Sequence, residues 1–564
     1  MKNDDHLVEH PDSMGGFAGT PGISRREALL TGGALALGGL ALSVLGGCSD
    51  GTDTVPSAEE WDEEVDVVVV GAGSGVYTAL RTNASGLKTL VLEKSDRPGG
   101  STSFSSSVVW VPNNDVMKQA GYTDSREEAL EYIAAGSADT YLPELAEAYV
   151  DTINTAATNI TELAGVQWAM WAGGIDYRSS LPGGKEFGRS LVPRVETGAT
   201  TAGVLELHLI DAATAAGIEI RTSTPAVELL TRTDDAGVRE VIGVVADGAN
   251  GRLRIKARVA VVMAAGGFDW NDDMMANYLR VPARHSWGVP EATGDAHKMA
   301  MRIGSDMRFM NEGWMSPGYK EEHEEAKAQG LSRLASAIRD YGRPGLIYVN
   351  KHGKRFTNEC ANYDSVGRSF CSIESGFEPR GWEHLPAYAI ADQTAVDKYA
   401  LAAGEPGKPG TCFKSYDSLT ALAEALGINA DELTATVARF NDNAAKGLDP
   451  DFGRGQDYFG QNYSGTDKDF EGPARTLRPL TTAPFWAAEL VPVVLGTSGG
   501  IKTNAKSQAL DTDGNVIARF YALGNCAGQG CGGAFYTGGG GTIGPALAFG
   551  ELAAVDIANL QPWV

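Results

Sequence analysis

One tyrosine, Tyr536, stands inside the stretch GGAFYTGGGGTIGPA, residues 532–546. Glycine this dense marks backbone that turns sharply or approaches a ligand closely. A phenol set in it presents a hydroxyl with little bulk around it; a flexible surface loop is the competing reading. A second chemical group lies in VDVVVVGAGSGVYTALRTNASGLKTLVLEK. There Gly71, Gly73, Ser74 and Gly75 follow an apolar run, and Glu93 with Lys94 comes a little over twenty residues after Gly71. Glycines so spaced let backbone N–H groups reach a pyrophosphate, and a carboxylate at that distance accepts ribose hydroxyls. The third fingerprint position is Val76 rather than glycine, with Gly75 beside it to compensate.

Elements must hold those groups in place. Val65 to Val70 is a continuous β-branched run, the pattern of a parallel strand buried on both faces. VYTALRTNA reads as a helix whose positive N-terminus faces a phosphate, and KTLVLEK as the next strand. Strand, fingerprint, helix, strand and acid in that order predict an α/β, Rossmann-like dinucleotide domain. Beyond Glu93, Gly99, Gly100, Ser101 and Thr102 supply small hydrogen-bonding groups where the rest of a cofactor passes. ARVAVVMAAGGF reads as another buried strand, ahead of Ala265 and Gly266. RFYALGNCAGQG returns near the C-terminus with a strand and a turn at Gly524-Asn525, where Asn525 also reads as an ordinary turn residue. A dinucleotide fold opened early and completed by the C-terminus fits non-covalent FAD better than NAD. GGTIGPALAFGELAAVDIANL reads as a helix with Pro545 in its tolerated first turn. Gly541, Ile543, Gly544, Pro545 and Ala546 are thus candidate flavin contacts at a dipole end that favours an anionic reduced ring; helix capping alone is the alternative.

The 564 residues, 43% hydrophobic, suffice for a large core and two domains. A net charge of −25 excludes nucleic acid as partner, since phosphates need a basic footprint. We expect a FAD-binding domain over 63–332 and 494–564, discontinuous around an inserted α+β cap domain over 333–493. In the cap, LIYVNKHGKRFTNE gives a hairpin signal turning at Gly353, and LTALAEALGI and ADELTATVARFNDNAAKG are amphipathic helices. Residues 1–48 read as a targeting segment and 49–62 as a linker. SRREALLTGGALALGGLALSVLGGC resembles a twin-arginine export signal at Arg25 and Arg26, ending in a lipoprotein-type box at Cys48. These features lead us to expect an extracytoplasmic, lipid-anchored protein with an unidentified electron donor or acceptor at the membrane. Cys360, Cys371, Cys412, Cys526 and Cys531 are expected mostly as free, buried thiols, with a Cys526–Cys531 pair left open. No metal-ligand pattern stands out, and the histidines are scattered without a catalytic partner.

The chain resembles the fumarate reductase and 3-ketosteroid dehydrogenase flavoproteins, and within them most nearly the 3-ketosteroid Δ1-dehydrogenases. GGSTSFSSSVVWVPNN, DYRSSLPGGKEFGRSL, AAGGFDWNDDMMANYL, VNKHGKRFTNECANYDSVG, RFNDNAAKGLDPDFGRG, LGTSGGIKTN and YTGGGGTIGPALAFG carry the likeness. Fumarate-type members resemble one another in a histidine before GG and an arginine in the C-terminal glycine loop, which clamp a dicarboxylate. Here Leu495-Gly496 and Tyr536 occupy those places, so a diacid is disfavoured. The resemblance implies that the Tyr536 hydroxyl and Gly540 N–H hold a ketone oxygen, that Tyr363 abstracts a proton, and that Tyr177 assists it. Thr537 and Gly539 replace the family's loop prolines. It implies a small, apolar, steroid-like ketone as substrate. Run backwards, the same site is an enone reductase fed at the membrane; a flavin electron carrier without substrate is a third reading.

Overall fold

The computed structural model describes residues 7–8 and 61–563 other than 235–236, 283, 333–336, 376–380 and 464. Arg25, Arg26 and Cys48 of the expected leader, and residues 49–60 of the linker, lie outside the described residues.

The β-branched run forms the strand Glu63–Val70 near the middle of an eight-stranded sheet. It pairs in parallel with Gly251–Met263 on one side and Thr89–Leu92 on the other. Val516–Ala522 adds to Gly251–Met263, again in parallel, so the C-terminal part of the chain completes the sheet as expected. Ala226–Thr233, Arg239–Gly248 and the start of Gly251–Met263 form an antiparallel meander on it. The unbroken valine run follows from two-sided burial. Val67 and Val69 enter a core beneath the helices Gly75–Ala84, Pro143–Ala164 and Ile543–Ile557, while Val65, Val68 and Val70 enter a second core on the opposite face.

A second, antiparallel sheet forms the other layer, in the order Gly313–Tyr319, Phe485–Thr497, Ala387–Asp392, Leu346–Asn350, with Lys414–Tyr416 also paired to Phe485–Thr497. Phe485–Thr497 is thirteen residues long and ties the two layers, because the Thr497 hydroxyl accepts from the Phe268 N–H at 2.9 Å. The expected amphipathic helices appear as Leu419–Leu426 and Ala430–Ala444, capped by Ser418 and Asn429, with Leu422, Leu433, Val437 and Phe440 packed on Ile347, Val349 and Ile390. A small antiparallel sheet of Val109–Trp110, Trp168–Trp171 and Ser190–Pro193 lies over the C-terminal glycine loop. Leu7–Val8 pairs with Met170–Trp171 at its edge, so this dipeptide of the expected leader lies against the fold.

The hairpin turns at Gly353, where φ is +74°, but its returning arm makes a single bridge, Val349 to Arg355. A stronger interaction takes the chain away from strand pairing. Buried Arg355 donates to Glu359 at 2.5 and 2.9 Å and to Asp449 at 2.8 and 3.0 Å. Fully buried Arg454 lies 3.3 Å from Glu359 and donates to the carbonyls of Leu346, Arg343 and Thr476. Removing one partner strands the other charges in the interior. Arg355→Met is therefore expected to lower the unfolding free energy by about 3–5 kcal/mol, read by urea denaturation.

Candidate active site

The dinucleotide cradle is built on absent side chains. Gly71 has φ +107°, and a Cβ there would stand 2.4 Å from the Ala264 carbonyl oxygen. A Cβ on Gly75 would lie 2.7 Å from the Ala264 Cβ and 3.1 Å from Val69 Cγ1. Gly75 therefore does the close helix-to-strand packing that the third fingerprint glycine does elsewhere, and Val76 is free to fill the core, where it is fully buried. Gly73 faces the Gly99 carbonyl and the Thr102 hydroxyl, each 3.4 Å from its would-be Cβ. Glu93 is buried and accepts from the Ala72 and Ser95 N–H groups, both at 2.8 Å, so its carboxylate also fixes the fingerprint loop. Lys94 is turned to Thr293 and Asp295 at 2.7 and 2.8 Å. Ser101 Oγ accepts from Val289 N at 3.3 Å, joining the Gly100–Phe104 turn to the segment after Ala265 and Gly266. At the far end, a Cβ on Gly524 would touch the Ala546 Cβ at 3.4 Å and the Ser74 Oγ at 3.8 Å. The fingerprint, the Gly524-Asn525 turn and the start of the Ile543–Ile557 helix thus converge. Asn525 Nδ2 lies 2.4 Å from where a Cβ on Gly496 would stand, so glycine at 496 makes room for it. These glycines bring bare main chain from three segments of the chain together, and the residues present fit FAD.

The three tyrosines meet. The Tyr177 hydroxyl donates to the Tyr363 hydroxyl at 2.8 Å, and the Tyr363 and Tyr536 hydroxyls share a hydrogen bond of 2.6 Å. The rings of 177 and 536 meet edge-on at 4.9 Å, and those of 363 and 536 at 5.7 Å. Each is placed by a different device. Tyr177 is strapped to the glycine loop, its N–H donating to the Thr537 carbonyl at 3.0 Å beside a bridge from Asp176 to Gly538. Tyr363 opens the helix Tyr363–Ser369, capped by Asn362, whose amide also donates to the Tyr177 carbonyl at 3.3 Å. That helix is pinned to Gly313–Tyr319 by Asp364, which accepts from Met315 N and from Arg368. Tyr536 is held within the loop, whose Thr537 carbonyl also accepts from the Tyr132 hydroxyl at 2.6 Å.

Behind the loop lies a buried ionic support. Arg189, with no exposed surface, donates to Asp124 at 2.6 and 2.8 Å and to Asp176 at 2.9 Å. Asp176 also accepts from the Trp110 indole and the Lys185 N–H. Burial raises the Asp176 pKa, with Arg189 pulling it the other way. Gly540 has φ +91°, and a Cβ there would lie 2.4 Å from Trp110 N and 2.5 Å from Val109 C. The glycine is needed for main-chain contact with the Val109–Trp110 strand. Among the described residues no group accepts from the Gly540 N–H, whereas its carbonyl accepts from Gly544 N at 2.9 Å.

Burial drives the electrostatics of the phenols. It raises Tyr177 and Tyr363 well above the usual range, and raises Tyr536 as well. The hydrogen bond from Tyr177 is the contact that lowers Tyr363. Sequence reasoning missed a fourth phenol, Tyr463, pushed up to about 12 by burial, whose hydroxyl lies 3.4 Å from that of Tyr177. Its neighbourhood, GQNYSG, carries no distinguishing signal. Trp287, Trp314 and Phe459 complete an aromatic surround, and partly buried Leu495 packs against the same core. Among the described residues all five cysteines are free; Cys526 Sγ bonds the Met263 and Leu523 carbonyls instead of Cys531.

Residues 66–543 match the family model described as FAD binding domain. The chain is 32% identical to a 3-oxosteroid 1-dehydrogenase of Mycolicibacterium smegmatis, over 88% of this chain and 97% of that one. It is 31% identical to a 4-oxocyclohexanecarboxylate 2-dehydrogenase of Sinomonas cyclohexanicum, over 88% and 93%. Its fold is similar to that of the 3-ketosteroid Δ1-dehydrogenase of Sterolibacterium denitrificans, solved with 1,4-androstadiene-3,17-dione, with a TM-score of 0.79, 26% identity and coverage of 88% and 99%.

The glycine loop gives a direct prediction. Gly540→Ala forces a side chain into main-chain atoms at a positive φ, and is expected to cost about 1–3 kcal/mol or more in urea-induced unfolding.

Proposed function

Because the chain belongs to the FAD-binding-domain family and is an FAD-dependent oxidoreductase acting on CH–CH groups, we propose that it introduces a double bond next to a ring ketone, with the C1–C2 bond of a 3-ketosteroid as its substrate bond. The observation that carries this reading is the joined set of hydroxyls of Tyr177, Tyr363 and Tyr536. FAD supplies the hydride acceptor; the chain's own residues handle the ketone and the proton. The keto oxygen takes the Tyr536 O–H and the Gly540 N–H as donors. Charge developing there as C2 loses its proton is stabilised, each donor contributing about 3 kcal/mol to lowering the barrier. On binding, the ketone replaces Tyr363 as the partner of Tyr536, which leaves the Tyr363 oxygen for the C2 proton. Tyr363 acts as base once its own proton has been relayed to bulk water through the hydroxyls of Tyr177 and half-buried Tyr463, each passing on its own proton as it receives one. The aromatic surround of Trp287, Trp314 and Phe459 suits a flat apolar ring system. The 4-oxocyclohexanecarboxylate relative supports the ring ketone as the shared recognition element.

Anaerobic mixing with 3-ketosteroids saturated at C1–C2 tests the proposal: flavin absorbance is expected to bleach with the parent chain. Tyr536→Phe and Tyr363→Phe should each slow bleaching by about 10²–10³-fold with the resting flavin spectrum unchanged. Parent-like bleaching by both variants sinks the assignment.

The raised phenol pKa values set the pH dependence. The base form is the minor form at neutral pH, so kcat/KM is expected to climb about tenfold per pH unit through about pH 9. A plateau reached below pH 8 would show that some other group is the base.

The twin-arginine and lipoprotein-type signals support an extracytoplasmic protein tethered through Cys48, exchanging electrons with a membrane partner. Cys48→Ala is expected to move the protein from the membrane to the soluble fraction of fractionated cells; unchanged partitioning contradicts the anchor.

A further inference from the structure

Asp269 has no place in the chemistry above. It follows the Gly266-Gly267 turn, it is buried, and no cation pairs with it among the described residues. Lys327 lines the same small cavity but is turned to Asp272 and the Arg284 carbonyl. The Asp269 carboxylate serves instead the segment that carries Trp287. The Ser286 hydroxyl donates to Asp269 Oδ2 and accepts from the Gly288 N–H at 2.8 Å. A Cβ on Gly288 would stand 2.5 Å from that Oδ2, so the acid presses on bare main chain. Next to it, the Trp270 indole donates to the Gly288 carbonyl at 2.6 Å. On the other side of Trp287, the His285 carbonyl accepts from Val494 N at 2.9 Å, and Trp287 N donates to the Val494 carbonyl at 2.8 Å. The indole held between these contacts meets the Tyr363 ring edge-on at 6.4 Å.

A buried carboxylate without a counter-ion persists only where hydrogen bonds hold it. Burial raises the Asp269 pKa to about 6, and the Ser286 hydroxyl is the first contact that opposes the rise. At neutral pH the group is therefore ionised and can only accept. That fixes the Ser286 O–H as donor and leaves its lone pair for Gly288. The resulting chain, from Gly288 N–H to Ser286 to Asp269, is directional and charge-assisted at its end. It closes a tight loop around Trp287, and the main chain there cannot reorient without breaking it.

We propose that Asp269 is a positioning residue for substrate binding: through Ser286 it clamps the main chain around Trp287 and holds that indole as a wall of the ketone site beside Tyr363. The inference rests on the proposed function, which makes the phenol cluster the ketone site.

The test reads how anaerobic flavin bleaching of the FAD-loaded full chain depends on 3-ketosteroid concentration, which yields an apparent affinity and a limiting rate. Ser286→Ala and Asp269→Ala are each expected to weaken the affinity about tenfold. Their limiting rates should stay within about threefold of the parent, because the phenol hydroxyls are untouched. Asp269→Asn, which keeps an acceptor for Ser286, should stay within about threefold of parent affinity. In a Trp287→Ala background, Ser286→Ala should change the affinity by less than about twofold, since the clamp then has nothing to hold. Melting temperature and the resting flavin spectrum are read alongside. Four outcomes overturn the proposal: parent-like affinity in both Ala variants, an undiminished loss in the Trp287→Ala background, an Asn variant as weak as the Ala variant, or a Ser286→Ala chain that loses affinity only together with melting temperature. All four leave the proposed function standing. A parent chain whose flavin no 3-ketosteroid bleaches overturns that function, and this inference with it.

Discussion

The hydrogen bond from the Tyr177 N–H to the Thr537 carbonyl, with the bridge from Asp176 to Gly538 beside it, joins two segments some 360 residues apart. The site depends on this strap. It fixes Tyr177 relative to Tyr536, and Tyr177 in turn meets Tyr363 through its hydroxyl and Asn362 through its carbonyl. Glycine density around the strap is a steric requirement. The loop must lie against Val109–Trp110, and Gly538, Gly539 and Gly540 each face Trp110, Trp171 or the strand backbone where a side chain would start. The Arg189–Asp176–Asp124 group stiffens the same place, since a buried charge network tolerates little displacement before its pairing fails.

Much of the cofactor half was legible in the sequence because it rests on local rules. A valine run buried on both faces, a glycine turn, a helix and a short strand follow one another within about thirty residues, and each obeys its own periodicity. The glycine loop was legible as a loop, and Tyr536 as its chemical residue. The reason for Gly540 was not, because it lies in a strand over four hundred residues away. Tyr463 was invisible for a related reason: it is a tyrosine among polar neighbours, and only tertiary packing brings its hydroxyl to that of Tyr177. The returning arm of the Gly353 hairpin was overread, since pattern alone does not register that Arg355 has two acids to satisfy.

The phenol cluster trades basicity for shielding. In the reaction proposed above, excluding water pushes the phenols upward, against what a base requires, while it strengthens every hydrogen bond aimed at a ketone oxygen. The bond from Tyr177 works against the shift at Tyr363, and Tyr463 connects the cluster to its half-buried edge.

The placement of Val516–Ala522 beside Gly251–Met263 has a consequence for biogenesis. A ribosome-bound chain lacks the strand that seals this layer, as well as Thr537 and the helix Ile543–Ile557, until residues 516–557 have been made. Nascent intermediates consequently hold an unfinished groove with a bare sheet edge. Flavin capture then waits on these segments, and a chain cut before Val516 has no vessel for the ring it is built to carry.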